Sequence, residues 1–132
     1  MAEERDGAVV DWSGPLAQVA GDAEVLRDIV EAYVEEIREN LELLPRSLAD
    51  ASWTDARRQA HTVKGAMRMF GVAEGVRSGQ ALEDAAVGQL AGCEAFYADL
   101  KRSAEAALPE LESFAKTGAL PTAAAARKAG LG

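Results

Sequence analysis

The sequence predicts an all-α fold: an antiparallel four-helix bundle with a short N-terminal capping helix. Three observations carry this. No stretch of the 132 residues alternates apolar and polar side chains as a half-buried strand does. Apolar residues recur instead at steps of three and four, which puts them on one stripe of a helix. Cap and stop residues then cut the pattern into segments joined by short connections, as an up-down bundle requires.

Taken in order, residues 1–11 are polar and are expected to form a flexible N-terminus. A short helix is predicted from Ser13 to Gly21, with Pro15 tolerated in its first turn and Trp12 covering one end of the bundle. Asp22 is a candidate N-cap for a long helix whose stripe is Leu26, Ile29, Tyr33, Ile37, Leu41, Leu44 and Leu48. Pro45 lacks the N–H that would bond the Leu41 carbonyl, so a kink or break is expected there. Ser52-Trp53-Thr54-Asp55 has the spacing of a capping box. The helix it opens should run to Phe70 and stop at Gly71. A further helix is predicted from Val72 to Ala86, with Val76, Leu82 and Ala85 facing inward and Gly88 ending it. The last begins near Cys93, aligns Phe96, Leu100, Ala107, Leu111 and Phe114, and closes at Lys116 and Gly118. Pro109 is on its outer side and should bend it rather than end it. The bundle therefore covers 12–118, and 119–132 is an Ala-rich tail with Arg127 and Lys128, expected to be linker or disordered.

Composition excludes several function classes. A hydrophobic fraction of 48% supports one core. The net charge of −8 is the wrong sign for a general nucleic-acid binder and disfavours contact with anionic membranes. No apolar run approaches the roughly 20 residues that span a bilayer. The acidic start, Met1-Ala2-Glu3-Glu4-Arg5-Asp6, has no apolar core of a secretory signal. Cys93 is the only cysteine, so no internal disulfide is possible, and a cytoplasmic location and a buried, inert thiol are expected. One histidine and one cysteine cannot fill a zinc site, so no metal is expected on the chain itself.

The single histidine decides the functional reading. At about 100° per residue, Thr54, Arg57, Arg58, Lys64, Gly65 and Arg68 all fall within about 60° of His61. Ala56, Val63, Ala66, Met67 and Phe70 fall on the far side. The wet face of this helix thus holds His61 with four cations and no carboxylate, in an acidic protein. Nearby cations favour the neutral, nucleophilic imidazole. A phosphorylated ring carries two negative charges, and Lys64 one turn away is placed to neutralise part of them. Gly65 removes the side chain that would shield the ring, at a cost of about 1 kcal/mol relative to alanine. Taken singly, each of these residues is more often an ordinary surface residue or cap.

His61-x-x-Lys64-Gly65, followed by Gly71, is similar to the signature of histidine phosphotransfer (HPt) domains. The resemblance covers about residues 22–117 and includes Tyr33 ahead of the site and the Leu82-Glu83 pair after it. The fold it implies is a four-helix bundle with an N-terminal helix. It implies that His61 is phosphorylated through Nε2, that Lys64 stabilises the phosphate and that Gly65 admits the partner. The chain departs from the pattern in carrying glycine at 71, 75 and 79, which points to close packing against the His-bearing helix.

The expected role is that of a phosphoryl carrier and not an enzyme, alone or within a larger histidine kinase. His61 would take the group from the aspartate of a receiver domain, with Mg²⁺ on the receiver, and return it to the receiver of a response regulator. A hybrid histidine kinase is the expected source, and the domain is expected to act as a monomer. Arg57, Arg58 and Arg68 would complement an acidic receiver pocket, with Met69 in the apolar contact. Two alternatives stand beside this: the phosphoacceptor domain of a chemotaxis-type kinase labelled directly from ATP, and a helical adaptor without chemistry.

Overall fold

The structure, a computed structural model, describes residues 9–89 and 92–120. Among the described residues there are five helices and no strand: α1 (Ser13–Gln18), α2 (Ala23–Ala49), α3 (Trp53–Met69), α4 (Ala73–Gly88) and α5 (Cys93–Thr117). Residues 50–52 and 70–72 are the whole of two connections, so α2, α3 and α4 run antiparallel in turn. α2 packs on α3 and α5, α4 packs on the same two, and α1 rests on α2. The four long helices therefore close into a ring around Leu26, Ile37, Leu44, Val63, Met67, Leu82, Leu100 and Leu111, all fully buried.

The caps explain most boundaries. Asp22 accepts the N–H groups of Glu24 and Val25 at 3.1 and 3.2 Å, which satisfies two orphan donors at the start of α2. α1 stops three residues earlier than the sequence suggests. Gly21, at φ +79°, donates to the Leu16 carbonyl at 2.9 Å and so belongs to the turn that closes α1. At the end of α3, Gly71 adopts φ +68° and Val72 donates to Met67 O at 2.9 Å, a Schellman closure with Val72 buried behind it. The expected capping box at 52–55 is not closed: Ser52 is the N-cap of α3, but its side chain makes no capping hydrogen bond.

Of the kink or break expected at Pro45, the break does not occur. α2 continues to Ala49. The missing amide at Pro45 leaves the Leu41 carbonyl without its i+4 donor. The hydroxyl of Tyr97, from α5, donates to that carbonyl at 2.8 Å. Burial, and then the Glu105 carboxylate, push the Tyr97 phenol above its ordinary range, so it remains a donor. Pro109 likewise does not end α5, and it is exposed. Burial and the neighbouring Glu94 also raise the Cys93 thiol, which keeps it protonated and unreactive.

The N-terminal segment is a strap. Residues 1–8, for which flexibility is expected, lie outside the described residues, as do 121–132 of the expected tail. Residues 9–11 are not loose. The Glu110 carboxylate accepts from the backbone N–H groups of Val9 and Val10 and from Trp12 Nε1. Asp11 donates to the Phe70 carbonyl at 2.8 Å. Val10 and Trp12 are buried, and the Trp12 ring lies 4.8 Å from Phe114 and 6.0 Å from Phe70. Tyr33 meets Phe70 edge-on at 5.2 Å. This aromatic cluster closes one end of the bundle, as expected of Trp12. No helix of the described residues is long and apolar enough to cross a membrane.

Candidate functional site

α3 presents His61 outward: its side chain is 65% exposed. Thr54, Arg57, Arg58 and Arg68 share that exposed side, and Gly65 is partly exposed. A Cβ added at Gly65 would meet nothing within 4 Å, so the surface next to the ring is bare backbone. Thr54, Arg57, Arg58 and His61 together line an open hollow of about 330 Å³. Met69 is half-buried and packs against the core, which leaves only part of it on the surface.

Lys64 is buried. The sequence places it on the wet face beside the ring, but it is only 5% exposed. Its Nζ lies 2.6 Å from Glu83 Oε2 and donates to Gln80 Oε1 at 2.9 Å, both from α4. The cause is the close approach of α4. A Cβ on Gly79 would fall 2.7 Å from Lys64 Cβ, and one on Gly75 would fall 2.4 Å from Met67 Cγ. Two missing side chains let α4 ride up over the edge of α3 and cover the stem of Lys64. A helical wheel treats α3 as if alone and cannot register this. Gly71, by contrast, serves as the α3 cap described above.

The same approach brings an acid to the histidine. Glu83 Oε1 lies 3.2 Å from His61 Nδ1. A carboxylate oxygen can only accept, so the contact requires a proton on Nδ1, and in the neutral ring that tautomer leaves the Nε2 lone pair free. Glu83 thus holds the ring with one oxygen and Lys64 with the other, and it is nearly buried. Gln80 extends the chain of contacts to Asp84 at 2.9 Å. The charged group that the imidazole engages is therefore a carboxylate. Arg58 is 3.3 Å from Asp55, both exposed. Arg57 and Arg68 have no ion-pair partner among the described residues.

Glu83, Gln80 and Asp84 are the residues that reading α3 alone misses. A signal was present: Gly75, Gly79 and Glu83 fall at steps of four, so the stripe that presses on α3 ends in a carboxylate.

The family model described as the Hpt domain matches residues 28–124, nearly three quarters of the sequence. The chain belongs to the Hpt domain family. Neither the curated proteins nor the solved structures give a match. An Hpt domain serves histidine phosphotransfer in two-component signalling. It carries the phosphoryl group rather than catalysing a reaction of its own, and its partners are response-regulator receiver domains. Among the described residues of this Hpt domain, no group of three or more His, Cys, Asp or Glu could hold a metal ion.

Proposed function

We propose that this Hpt domain accepts a phosphoryl group on His61 Nε2 from the aspartyl-phosphate of a receiver domain and passes it to the receiver of a response regulator. A hybrid histidine kinase is the source, and the domain acts as a cytoplasmic monomer. The contact between Glu83 and Nδ1 is the observation that carries the reading. It fixes the ring so that the nitrogen with the free lone pair faces away from the bundle.

The chemistry follows from that arrangement. The Nε2 lone pair attacks phosphorus, the bond between phosphorus and the aspartyl oxygen breaks, and the aspartate carboxylate leaves with the electron pair. The ring becomes a phosphoimidazolium with its proton still on Nδ1, and Glu83 faces the new positive charge. Return of the group to a second receiver reverses these steps. The receiver brings the Mg²⁺ that neutralises charge in flight, and this chain contributes position and electrostatics. Lys64 keeps Glu83 in place. Gly65 supports the reading because a partner can approach its bare backbone. Arg57, Arg58 and Arg68 supply positive charge for encounter with an acidic receiver, and the exposed edge of Met69 extends the docking face.

Transfer from purified phosphorylated receivers tests this. His61→Gln should fold as the parent does and accept no acid-labile phosphate. Full labelling of that variant would refute the assignment. Labelling by an ATP-loaded histidine kinase domain, with none from any receiver, would replace the phosphorelay role by the chemotaxis-type one.

A further inference from the structure

We propose that the phosphoryl group, once on His61, is held by Arg57 and Arg58 and not by Lys64. The inference rests on His61 being the phosphoacceptor and assigns the site that receives its product.

Lys64 is committed elsewhere. Its ammonium is bound by Glu83 at 2.6 Å and by Gln80 at 2.9 Å, with 7% of its side chain exposed. It lies on the α4 side of the ring, where Glu83 also engages Nδ1. Nε2 is the far nitrogen, so a group attached there is turned away from α4. Helical side chains lean toward the N-terminus of their helix and cover the preceding turn. For His61 that turn carries Arg58 at −3 and Arg57 at −4, with Thr54 one turn further back. The hollow next to the ring is lined by those three residues and His61, and Lys64 takes no part in it.

The charges suit a dianion. Two guanidinium groups and one hydroxyl line the hollow, and no carboxylate does. Arg57 has no ion-pair partner among the described residues. The Arg58–Asp55 pair is 3.3 Å long and well exposed, at 63% and 57%, so it is weak and readily exchanged for a phosphoryl oxygen. The two kinds of cation therefore divide the work. Lys64 acts through Glu83 as a positioning residue, and the arginines bind the transferred group.

The test must separate holding the phosphoryl group from docking a partner, since both use positive charge. N-phosphoimidazole does this because it has no docking surface. His61 Nε2 attacks its phosphorus, the donor N–P bond breaks and imidazole leaves, so the ratio of products defines an exchange constant readable by ³¹P NMR. With the full chain, the Arg57→Gln/Arg58→Gln double variant should lower that constant by about threefold to tenfold, the effect of two exposed charge pairs. Arg57→Lys/Arg58→Lys should restore part of it. In the labelled parent chain, the Nε–H signals of Arg57 and Arg58 should move. An unchanged constant in the double variant, or arginine signals that stay in place on labelling, would overturn the proposal while leaving His61 as acceptor. A parent chain that takes no label, or a His61→Gln variant that takes it fully, would instead remove the reading on which the proposal rests.

Discussion

At the scale of single residues, the site depends on an ion pair that is mostly out of water. Removing one member of such a pair leaves the other charged and buried, which typically costs about 3–5 kcal/mol. Glu83→Ala should therefore lower stability by about 3 kcal/mol in urea unfolding, because it strands Lys64. A joint Lys64→Met/Glu83→Leu replacement should recover most of that loss, since well-packed apolar groups replace buried ion pairs at little cost. The recovered variant should still transfer phosphoryl groups poorly, because nothing then holds Nδ1. Recovery of both stability and transfer would show that Glu83 is only structural. At this scale the sequence was half legible. His61 stands on an exposed face as its position opposite Val63, Met67 and Phe70 implies. Lys64 does not, because burial at the edge of a helix is set by the neighbouring helix.

At the scale of elements, boundaries follow from local chemistry and lateral contacts do not. Asp22 and Gly71 act as their residue types suggest. Pro45 does not break its helix, because the hydroxyl that satisfies the Leu41 carbonyl comes from Tyr97, 56 positions away in sequence. Tyr97→Phe should therefore cost about 1–2 kcal/mol, the effect of a buried acceptor losing its partner, measured by thermal or urea unfolding. No loss would mean that water serves the carbonyl equally well. The glycines of α3 and α4 should separate cleanly. Gly65→Ala meets open space and should be neutral or stabilising by up to about 1 kcal/mol. Gly79→Ala drives a methyl group into Lys64 and should destabilise by about 1–3 kcal/mol while disturbing the Glu83–His61 contact. A bulky residue at 65 should slow transfer from a receiver with no loss of fold. The four-step glycine spacing showed that helices approach closely, and only the structure shows that the approach carries Glu83 to the imidazole.

At the scale of the whole molecule, the chain is acidic, with a basic patch around one histidine. A net charge of −8 repels acidic receivers at long range, while Arg57, Arg58 and Arg68 attract them locally. Salt screens both, but the contact pairs dominate encounter, so the receiver-to-Hpt transfer rate should fall several-fold between low and high ionic strength. A rate that rises with salt would show that repulsion controls encounter. The bundle architecture was legible because period, caps and short connections agree with one another. The docking of residues 9–11 was not, since Val9 and Val10 form too short an apolar run to show periodicity and their anchor is Glu110 at the far end of the chain.

Transfer turns on which imidazole nitrogen faces the partner, and the ring itself can report this. Long-range ¹H–¹⁵N NMR of the full chain should show the neutral form of His61 protonated at Nδ1 with Nε2 bare, and after labelling the phosphorus should be coupled to Nε2. A neutral ring protonated at Nε2, or a phosphoryl group found on Nδ1, would contradict this assignment.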